Sequence, residues 1–225
     1  MASDAFVPVI AIDGPSASGK GTVAQAVARA LGFRYLNSGA LYRTVALAAL
    51  EAGIDLENEL GLRDIALNLM AKFNGECVEL GGRDVTDLLR SEAVSLAASR
   101  IAGWPQVRLA LLDRQRAFRR LPGLVADGRD MGSVVFPDAT LKIFLTASAE
   151  ERAQRRYKQL MDKGMHATMA ALLQDIRERD GRDSSRAAAP LRQSADAVLV
   201  DTTRMSVEQV TEQVLALYKQ ARPAP

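Results

Sequence analysis

The stretch IAIDGPSASGKGTVAQAVARALG, residues 10–32, joins an apolar run, a glycine-rich segment and an amphipathic segment. The apolar run, which starts at residue 8, is typical of a buried strand. After Lys20 the apolar side chains recur with helical spacing, and Gly32 is a typical end of a helix. The helix face that we expect to be buried consists of Val23, Ala26, Val27, Ala30 and Leu31. Strand, loop and helix in this order predict the first unit of a parallel α/β sheet.

Four further apolar runs predict the rest of that sheet. They span residues 33–37, 124–127, 141–147 and 197–201, and segments with helical periodicity separate them. Alternation of this kind is typical of a parallel sheet with crossover helices. We therefore expect an α/β fold, a three-layer sandwich built on a five-stranded parallel sheet.

The segment between the second and third runs has a different pattern. Residues 77–87, CVELGGRDVTD, alternate with period two around a Gly-Gly pair, which predicts a small hairpin. We expect residues 62–106 to form an insertion between sheet strands. A helix before the hairpin is predicted from the stripe Leu62, Ile65, Ala66, Leu69, Met70 and Phe73, and helices after it at 91–102 and 106–120.

Composition excludes several classes of protein. With 225 residues, 48% of them hydrophobic and 25% charged, residues 1–225 are expected to form one domain with a full core. The single cysteine, Cys77, excludes an internal disulfide framework. No signal peptide or membrane-spanning run is found, so a cytoplasmic protein without a membrane partner is expected, most simply a monomer. A net charge of +2 does not by itself indicate a nucleic-acid partner.

The glycine-rich segment matches the phosphate-loop pattern G-x-x-x-x-G-K from Gly14 to Lys20. In such a loop, successive backbone N–H groups surround an anion, and the lysine reaches the outer phosphates. The predicted strand and helix on either side give the required context, because the positive end of the helix then faces the phosphates. The alternative is an ordinary strand-to-helix turn that contains glycines and a lysine.

The metal site is less clearly marked than the loop. Gly21 follows the lysine and the hydroxyl comes one place later, at Thr22, so direct ligation of Mg²⁺ by Thr22 is not expected. Mg²⁺ commonly keeps several waters and binds through substrate phosphates. Asp127, at the end of the third apolar run, is a candidate carboxylate for contact with that hydrated ion. The alternative is a capping or turn aspartate.

A row of charges in residues 177–186, RERDGRDSSR, is the second polar signal. Its members share one helical face if the helix extends that far, although a solvated face is the ordinary explanation of such a row. Arg43 and Arg129 follow predicted strands, whose carboxyl ends meet where ligands bind. We therefore expect arginines from separate segments to meet the phosphates. The row consists of Arg179, Arg182, Asp183 and Arg186.

These charges favour phosphoryl transfer to a nucleoside monophosphate. A hydroxyl acceptor needs a carboxylate to take its proton, whereas a phosphate oxygen is already largely ionised at neutral pH. Arginine binds phosphate oxygens bidentately and stabilises charge in the transition state. The only histidine, His166, has no neighbouring acid or nucleophile signal and is expected in a surface loop.

Five segments, in this order and at these spacings, resemble the bacterial cytidylate kinases over residues 8–220. The resemblance implies a P-loop kinase that transfers the γ-phosphoryl group of ATP to CMP and dCMP, with Mg²⁺, to give CDP and dCDP. The phosphate loop is shared with other nucleoside monophosphate kinases, and the longer segments carry the cytidylate likeness. The segments are GPSASGKGT, LNSGALYR, AASRIAGWPQVR, RQRAFRRLPGLVADGRDMGSVVFPDA and RERDGRDSSRAAAPL.

The resemblance also implies roles for individual residues. The ATP phosphates would bind Gly14, Pro15, Ser16, Ala17, Ser18, Gly19, Lys20, Gly21 and Thr22, and the catalytic side chains would be Lys20, Arg129, Arg179 and Arg186. The acceptor phosphate and the transferring group would be held by Ser38, Arg43, Arg129, Arg179 and Arg186, the sugar by Asp183, and the base by Ser99, Arg108 and Asp130. A carboxylate with a guanidinium complements cytosine, which offers an amine donor beside two acceptors.

Two segments would move, according to the same resemblance. Residues 62–106 resemble a monophosphate-binding element, and residues 152–175 resemble a lid that closes over ATP and excludes water. The roles of Arg152, Arg155 and Arg156 stay open between charge for the closed site and a solvated helix face. Asn37 departs from the family, in which aspartate is usual at this position; an amide keeps the hydrogen bonds but not the charge.

Two other classes of function stay open at this point. A kinase for a small hydroxyl metabolite would use Asp127 or Asp130 as the proton acceptor. A non-catalytic protein that binds nucleotide or nucleic acid would present an exposed arginine stripe with aromatic residues. Aromatic residues make up only 5% of this chain, and the arginines lie beside acidic residues, so no nucleic-acid partner is expected.

Overall fold

The structure, a computed structural model, describes residues 6–75, 77–162, 164 and 166–221. The strands are β1 (Val9–Asp13), β2 (Arg34–Asn37), β3 (Ala71–Asn74), β4 (Cys77–Leu80), β5 (Arg83–Asp84), β6 (Leu124–Gly128), β7 (Leu141–Thr146) and β8 (Val198–Asp201). The helices are α1 (Lys20–Leu31), α2 (Ser38–Glu51), α3 (Glu59–Leu67), α4 (Glu92–Ile101), α5 (Pro105–Arg116), α6 (Ala149–Met161), α7 (Met169–Ser185) and α8 (Val207–Ala221). No helix among the described residues is long and apolar enough to cross a membrane.

The chain divides into two compact units. The first unit contains the described residues up to Leu36 and from Arg119 onward, and the second unit contains residues 37–118. The predicted insertion, residues 62–106, lies within the second unit. The predicted lid, residues 152–175, lies within the first unit, and its residues 163 and 165 are outside the described part of the chain.

The first unit is built on a five-stranded sheet with the order β2-β6-β1-β7-β8. β1 pairs in parallel with β6 and with β7, and β7 pairs in parallel with β8. All five strands lie where the sequence predicts them, so the predicted α/β fold with a parallel sheet is confirmed. Because β1 is the central strand, the glycine-rich segment follows the middle of the sheet, at the carboxyl edge where ligands bind in folds of this class.

Helices α1 and α8 cover one face of this sheet. Their buried side chains share a core with Ile10, Ile12 and Val125 of the strands. The predicted buried face of α1 is correct at Val23 and Val27 but wrong at Ala30, which is exposed. Leu31 and Ala26 are only partly buried, and the buried alanines are instead Ala24 and Ala28. Alanines flank both sides of the stripe, so their periodicity alone does not fix which of them face the sheet.

The second unit combines helices α2 to α5 with a three-stranded antiparallel sheet of order β3-β4-β5. The predicted hairpin is confirmed, because β4 and β5 are joined by Gly81 and Gly82, both with positive φ. The predicted helix that extends to Phe73 is wrong. α3 ends at Leu67, and Phe73 lies in β3, paired with Val78 and in edge-to-face contact with Phe118. Strand pairing and packing override the helical periodicity here.

Candidate functional site

The phosphate loop lies in the first unit, between the central strand β1 and α1. A side chain at Gly14 would overlap the carbonyl oxygen of Leu145 on β7, so only glycine allows this close approach. Gly19, the residue before α1, has φ +88, in the left-handed region that glycine tolerates best. The buried hydroxyls of Ser16 and Ser18 have no hydrogen-bond partner within the described residues. Hydroxyl donors at these positions fit the oxygens of a phosphate chain.

Lys20, the first residue of α1, is buried at the base of this loop. Its Nζ donates to the carbonyl oxygen of Pro15 at 2.9 Å. Burial lowers the pKa of Lys20 well below its ordinary value, and the positive charges of Arg129 and Arg179 lower it further. The negative charges of Asp127 and Asp183 raise it. All four of these charged residues belong to the first unit, as Lys20 does.

Two arginines of α6 hold the outer side of the loop. Arg152 donates to the carbonyl oxygen of Ser16 at 3.3 Å and forms a two-fold ion pair with Asp180 of α7. Arg155 donates to the carbonyl oxygen of Ser18 at 3.2 Å. Neither side chain belongs to a solvated helix face. The sequence leaves their roles open, and the structure shows that both contact the phosphate loop.

A cluster of charges lies beside the loop in the same unit. The carboxylate of Asp183, of which only 1% is exposed, accepts from Arg129 Nε at 2.8 Å and from Arg186 Nη2. Burial alone would raise the pKa of Asp183, but the two guanidinium groups hold it below its usual value. α7 ends at Ser185, so Arg179, Arg182 and Asp183 of the predicted row lie on the helix, and Arg186 follows it as the C-terminal cap. Arg182 differs from the rest of the row, since 38% of its side chain is exposed and it forms an ion pair with Glu178 of its own helix.

Asp127 lies near the end of β6, buried against the start of α1. Its Oδ1 accepts from the hydroxyl of Tyr35 at 3.3 Å, and a Cβ at Gly21 would lie 3.3 Å from its Oδ2. The residue therefore does not cap a helix. No group of three carboxylate, histidine or cysteine side chains within the described residues could hold a metal ion. One carboxylate beside a phosphate loop fits the way in which Mg²⁺ is bound together with substrate phosphates.

The second unit brings Ser38 and Arg43 together at the first turn of α2. Asn37 caps this helix, because its side chain accepts from Ala40 N at 3.0 Å. The buried hydroxyl of Ser38 accepts from Gln115 Nε2 at 3.0 Å. A Cβ at Gly39 would lie 3.5 Å from Arg43 Nη1, which locates that guanidinium over the same turn.

Ser99 and Arg108 lie on the two helices that follow. Ser99 is buried on α4, which packs against α2. Arg108 of α5 donates from Nη1 to the carbonyl oxygen of Ala102, the residue after α4, at 3.2 Å. Asp130, the third residue of the predicted base-binding set, belongs to the first unit and is also buried.

Sequence reasoning missed two buried polar residues that contact these segments. Asp13 ends β1 directly before the loop, and its carboxylate accepts from the backbone of Met131 and Gly132. Gln115 is the donor to Ser38. Both residues leave a signal in the sequence. Asp13 is a charged residue at the end of an apolar strand, and Gln115 is a polar residue on the same buried helix face as Leu111.

Comparison with known proteins identifies a family for the chain. The family model described as cytidylate kinase matches residues 10–220. A cytidylate kinase of Nitrosomonas europaea is 58% identical over 218 residues, which cover 97% of this chain and 98% of that protein. A cytidylate kinase of Pseudomonas aeruginosa is 58% identical over 215 residues, 93% of this chain and 94% of that one.

A solved structure shares the fold at much lower identity. The gluconokinase of Sinorhizobium meliloti superposes with a TM-score of 0.50 at 18% identity, over 96% of this chain and 93% of that one. This likeness concerns the fold alone. The family model and the full-length relatives decide the assignment, and the chain belongs to the cytidylate kinase family.

Proposed function

We propose that this chain transfers the γ-phosphoryl group of ATP to an acceptor phosphate oxygen of CMP or dCMP, giving CDP or dCDP. Its family makes it a phosphotransferase that uses ATP to phosphorylate a nucleoside monophosphate. The proposal adds the two acceptors, the catalytic groups and the assistance of Mg²⁺. One observation supports it most: the buried Lys20 of the phosphate loop lies within electrostatic reach of Arg129, Arg179 and Asp183.

This arrangement suits a reaction in which negative charge has to be stabilised and no proton has to be removed from the acceptor. The acceptor phosphate is largely ionised at neutral pH, so no residue has to remove a proton from it. Lys20, Arg129, Arg179 and Arg186 would bind the transferring group and stabilise the charge that spreads over its oxygens. Asp183 holds Arg129 and Arg186 in place and balances their positive charge in a buried environment.

Asp127 is the residue that would hold Mg²⁺, through water, together with the ATP phosphates. The metal supplies partial neutralisation of the phosphate charge. The chain itself supplies the buried carboxylate, kept in place by the hydroxyl of Tyr35, and the closely packed start of α1 at Gly21.

Base recognition would depend on Ser99, Arg108 and Asp130. The amine of cytosine donates a hydrogen bond that a carboxylate can accept, and its N3 and O2 atoms accept hydrogen bonds from a guanidinium or a hydroxyl. Uracil has a carbonyl in place of the amine and would be repelled by Asp130. The deoxy sugar of dCMP leaves the base edge unchanged, which is why both cytidine nucleotides are proposed as acceptors.

The test is Mg²⁺-dependent formation of ADP from ATP with CMP, dCMP, UMP, AMP, GMP and shikimate offered separately. Rapid turnover with CMP and dCMP alone is the expected result. Lys20→Ala should lower kcat about 10³-fold, since the charge of the transition state loses a cation. Lys219→Ala is the matched control, because Lys219 is exposed on α8. Preference for AMP or shikimate would overturn the acceptor proposal, and retained turnover in Lys20→Ala would overturn the role of the loop.

Nucleotides are the partners proposed, without nucleic acid or membrane. A monomer is the simplest state that we propose for the enzyme, and sedimentation velocity with and without nucleotides measures it directly. One cysteine and an ATP-consuming reaction suit a reducing, cytoplasmic location. Fractionation of cells that express the tagged chain tests that location.

A further inference from the structure

A carboxylate at the end of β1 holds the turn that follows β6. Asp13 Oδ1 accepts from Met131 N, and Asp13 Oδ2 accepts from Gly132 N, both at 2.8 Å. These amides are the first two of a helical turn over Met131–Val135. Asp13 is 7% exposed and pairs in the sheet with Gly128, so its carboxylate reaches the turn from a fixed backbone position.

This contact replaces the ordinary cap of the turn. The residue at the capping position is Asp130, whose own side chain makes no capping hydrogen bond to the turn. The first amides of a helical turn lack partners within the turn and attract an anion. Asp13 satisfies two of them from outside, so the aspartate that precedes the turn is not needed for that purpose.

Asp13 fixes the backbone directly next to Asp130. Asp130 immediately precedes the two amides that Asp13 holds, and its carbonyl oxygen accepts from Val134 N within the same turn. Arg129 has a separate anchor, the ion pair of its Nε with Asp183. Loss of the Asp13 carboxylate should therefore displace the base-binding aspartate and leave the phosphate-binding arginine largely in place.

Electrostatics support the same dependence. Burial raises the pKa of Asp13 to about 7, although the two amide hydrogen bonds lower it. The negative charge of Asp130 raises this pKa further, and the positive charge of Arg129 lowers it. The two amide hydrogen bonds offset part of the cost of burying this carboxyl group. Those hydrogen bonds fix the backbone around Asp130.

We propose that Asp13 is a positioning residue for cytosine recognition, which acts by fixing the backbone turn that carries Asp130. The proposal rests on the proposed function, in which Asp130 accepts from the amine of cytosine. Asp13 also directly precedes the phosphate loop at Gly14. One strand end thus carries the loop on its backbone and orients the acceptor-binding turn with its side chain.

Asp13→Asn is the decisive variant, because an amide nitrogen would face one of the two backbone N–H groups and leave one hydrogen bond unmade. The ratio of kcat/KM for CMP to that for UMP should fall about ten-fold, while KM for ATP changes less than two-fold. Asp138→Asn makes the same chemical change at an exposed ion pair with Arg119. This control should leave kcat/KM for CMP, kcat/KM for UMP and KM for ATP unchanged. A purely structural role would lower both substrates' kcat/KM alike.

Amide exchange gives a readout without substrate. Hydrogen exchange at Met131 N and Gly132 N should be faster in Asp13→Asn than in the wild type. If that variant does not fold, Gly132→Ala disturbs the same turn from the other side, where its methyl would lie 3.1 Å from the Lys142 side chain, and it should lower the CMP to UMP ratio as well. An unchanged ratio in the folded variant overturns the inference, whereas a wild type that does not prefer CMP overturns the proposed function instead.

Discussion

The two units hold their candidate site residues by different means. In the first unit, buried charges are held by opposite charges, as in the pairs of Asp183 with Arg129 and with Arg186. In the second unit, the buried hydroxyl of Ser38 and the cap formed by Asn37 depend on neutral hydrogen bonds. Arg129 and Arg186 of the first unit are thus compensated in charge, whereas Ser38 of the second unit is oriented by a neutral hydrogen bond.

This difference predicts how the two units respond to substitution. Removal of one partner from a buried ion pair leaves an uncompensated charge, which costs about 3–5 kcal/mol. Removal of one neutral hydrogen bond costs about 1 kcal/mol. Variants in the first unit should therefore lose stability and activity together, and variants in the second unit should lose substrate affinity with little loss of stability.

Asp183→Asn should give the largest effect. The amide cannot neutralise Arg129 and Arg186, so the free energy of unfolding at pH 7 should fall by about 3 kcal/mol, and kcat by about 10²-fold. Because the pKa of Asp183 is lowered on folding, its contribution is present above its unfolded pKa and is lost as pH falls through the folded one. Urea unfolding should therefore show that the difference in the free energy of unfolding between wild type and Asp183→Asn increases from pH 3 to pH 7.

Asp138→Asn is the matched control for that variant. Asp138 is 63% exposed and its partner Arg119 is only partly buried, so the loss in the free energy of unfolding should stay below about 1 kcal/mol at every pH. Equal losses in the two variants would contradict the distinction between buried and exposed pairs on which the comparison depends.

Asp13 sharpens the comparison, because it is a buried carboxylate of the first unit that is held by backbone amides. Its folded pKa of about 7 lies above the ordinary value of 3.8, so the folded state binds a proton that the unfolded state has released. Its contribution to stability is present below the unfolded pKa and is lost as pH rises through about 7. Between pH 5 and 7, the free energy of unfolding of the wild type should fall by up to about 1.4 kcal/mol per pH unit relative to that of Asp13→Asn. Parallel unfolding curves for the two proteins would contradict the burial of this charge.

Most of the fold is predictable because apolar strands and helix-period segments alternate along the chain. The five sheet strands and the hairpin at Gly81 and Gly82 follow from that pattern and from turn chemistry. The strand that contains Phe73 is not predictable in the same way. Its side chains fit a helical stripe, and only pairing with β4 decides between the two structures.

The candidate site also combines features that local sequence predicts with features that depend on distant contacts. The phosphate loop is local in sequence, so the pattern from Gly14 to Lys20 predicts it directly. Asp13 and Gln115 act on segments 118 and 77 residues away, and no local pattern indicates such contacts. The assignments of Ser99 and Arg108 come from the family resemblance alone, since a single serine or arginine on a helix carries no specific signal.

Gln115→Leu tests the second unit with a smaller expected effect. Leucine keeps the volume of the side chain but removes the donor to Ser38 Oγ, so the stability loss should be about 1 kcal/mol. KM for CMP should rise several-fold with kcat nearly unchanged, because Ser38 loses its orientation. Gln106→Leu, on the exposed start of the same helix, is the control for the added apolar side chain. A large fall in kcat instead would place Gln115 among the groups that act in phosphoryl transfer.

Asn37→Asp should have the smallest effect, because aspartate caps a helix as well as asparagine does. Its charge at the N-terminus of α2 should add about 0.5 kcal/mol of stability, and KM for CMP should change less than three-fold, although Arg43 borders the same turn. Asn37→Ala removes the hydrogen bond to Ala40 N and should cost about 1 kcal/mol. A large shift in the Mg²⁺ dependence of Asn37→Asp would show that a carboxylate here acts on the metal rather than on the helix. An unchanged Mg²⁺ dependence would identify position 37 as a cap, whose charge the reaction does not require.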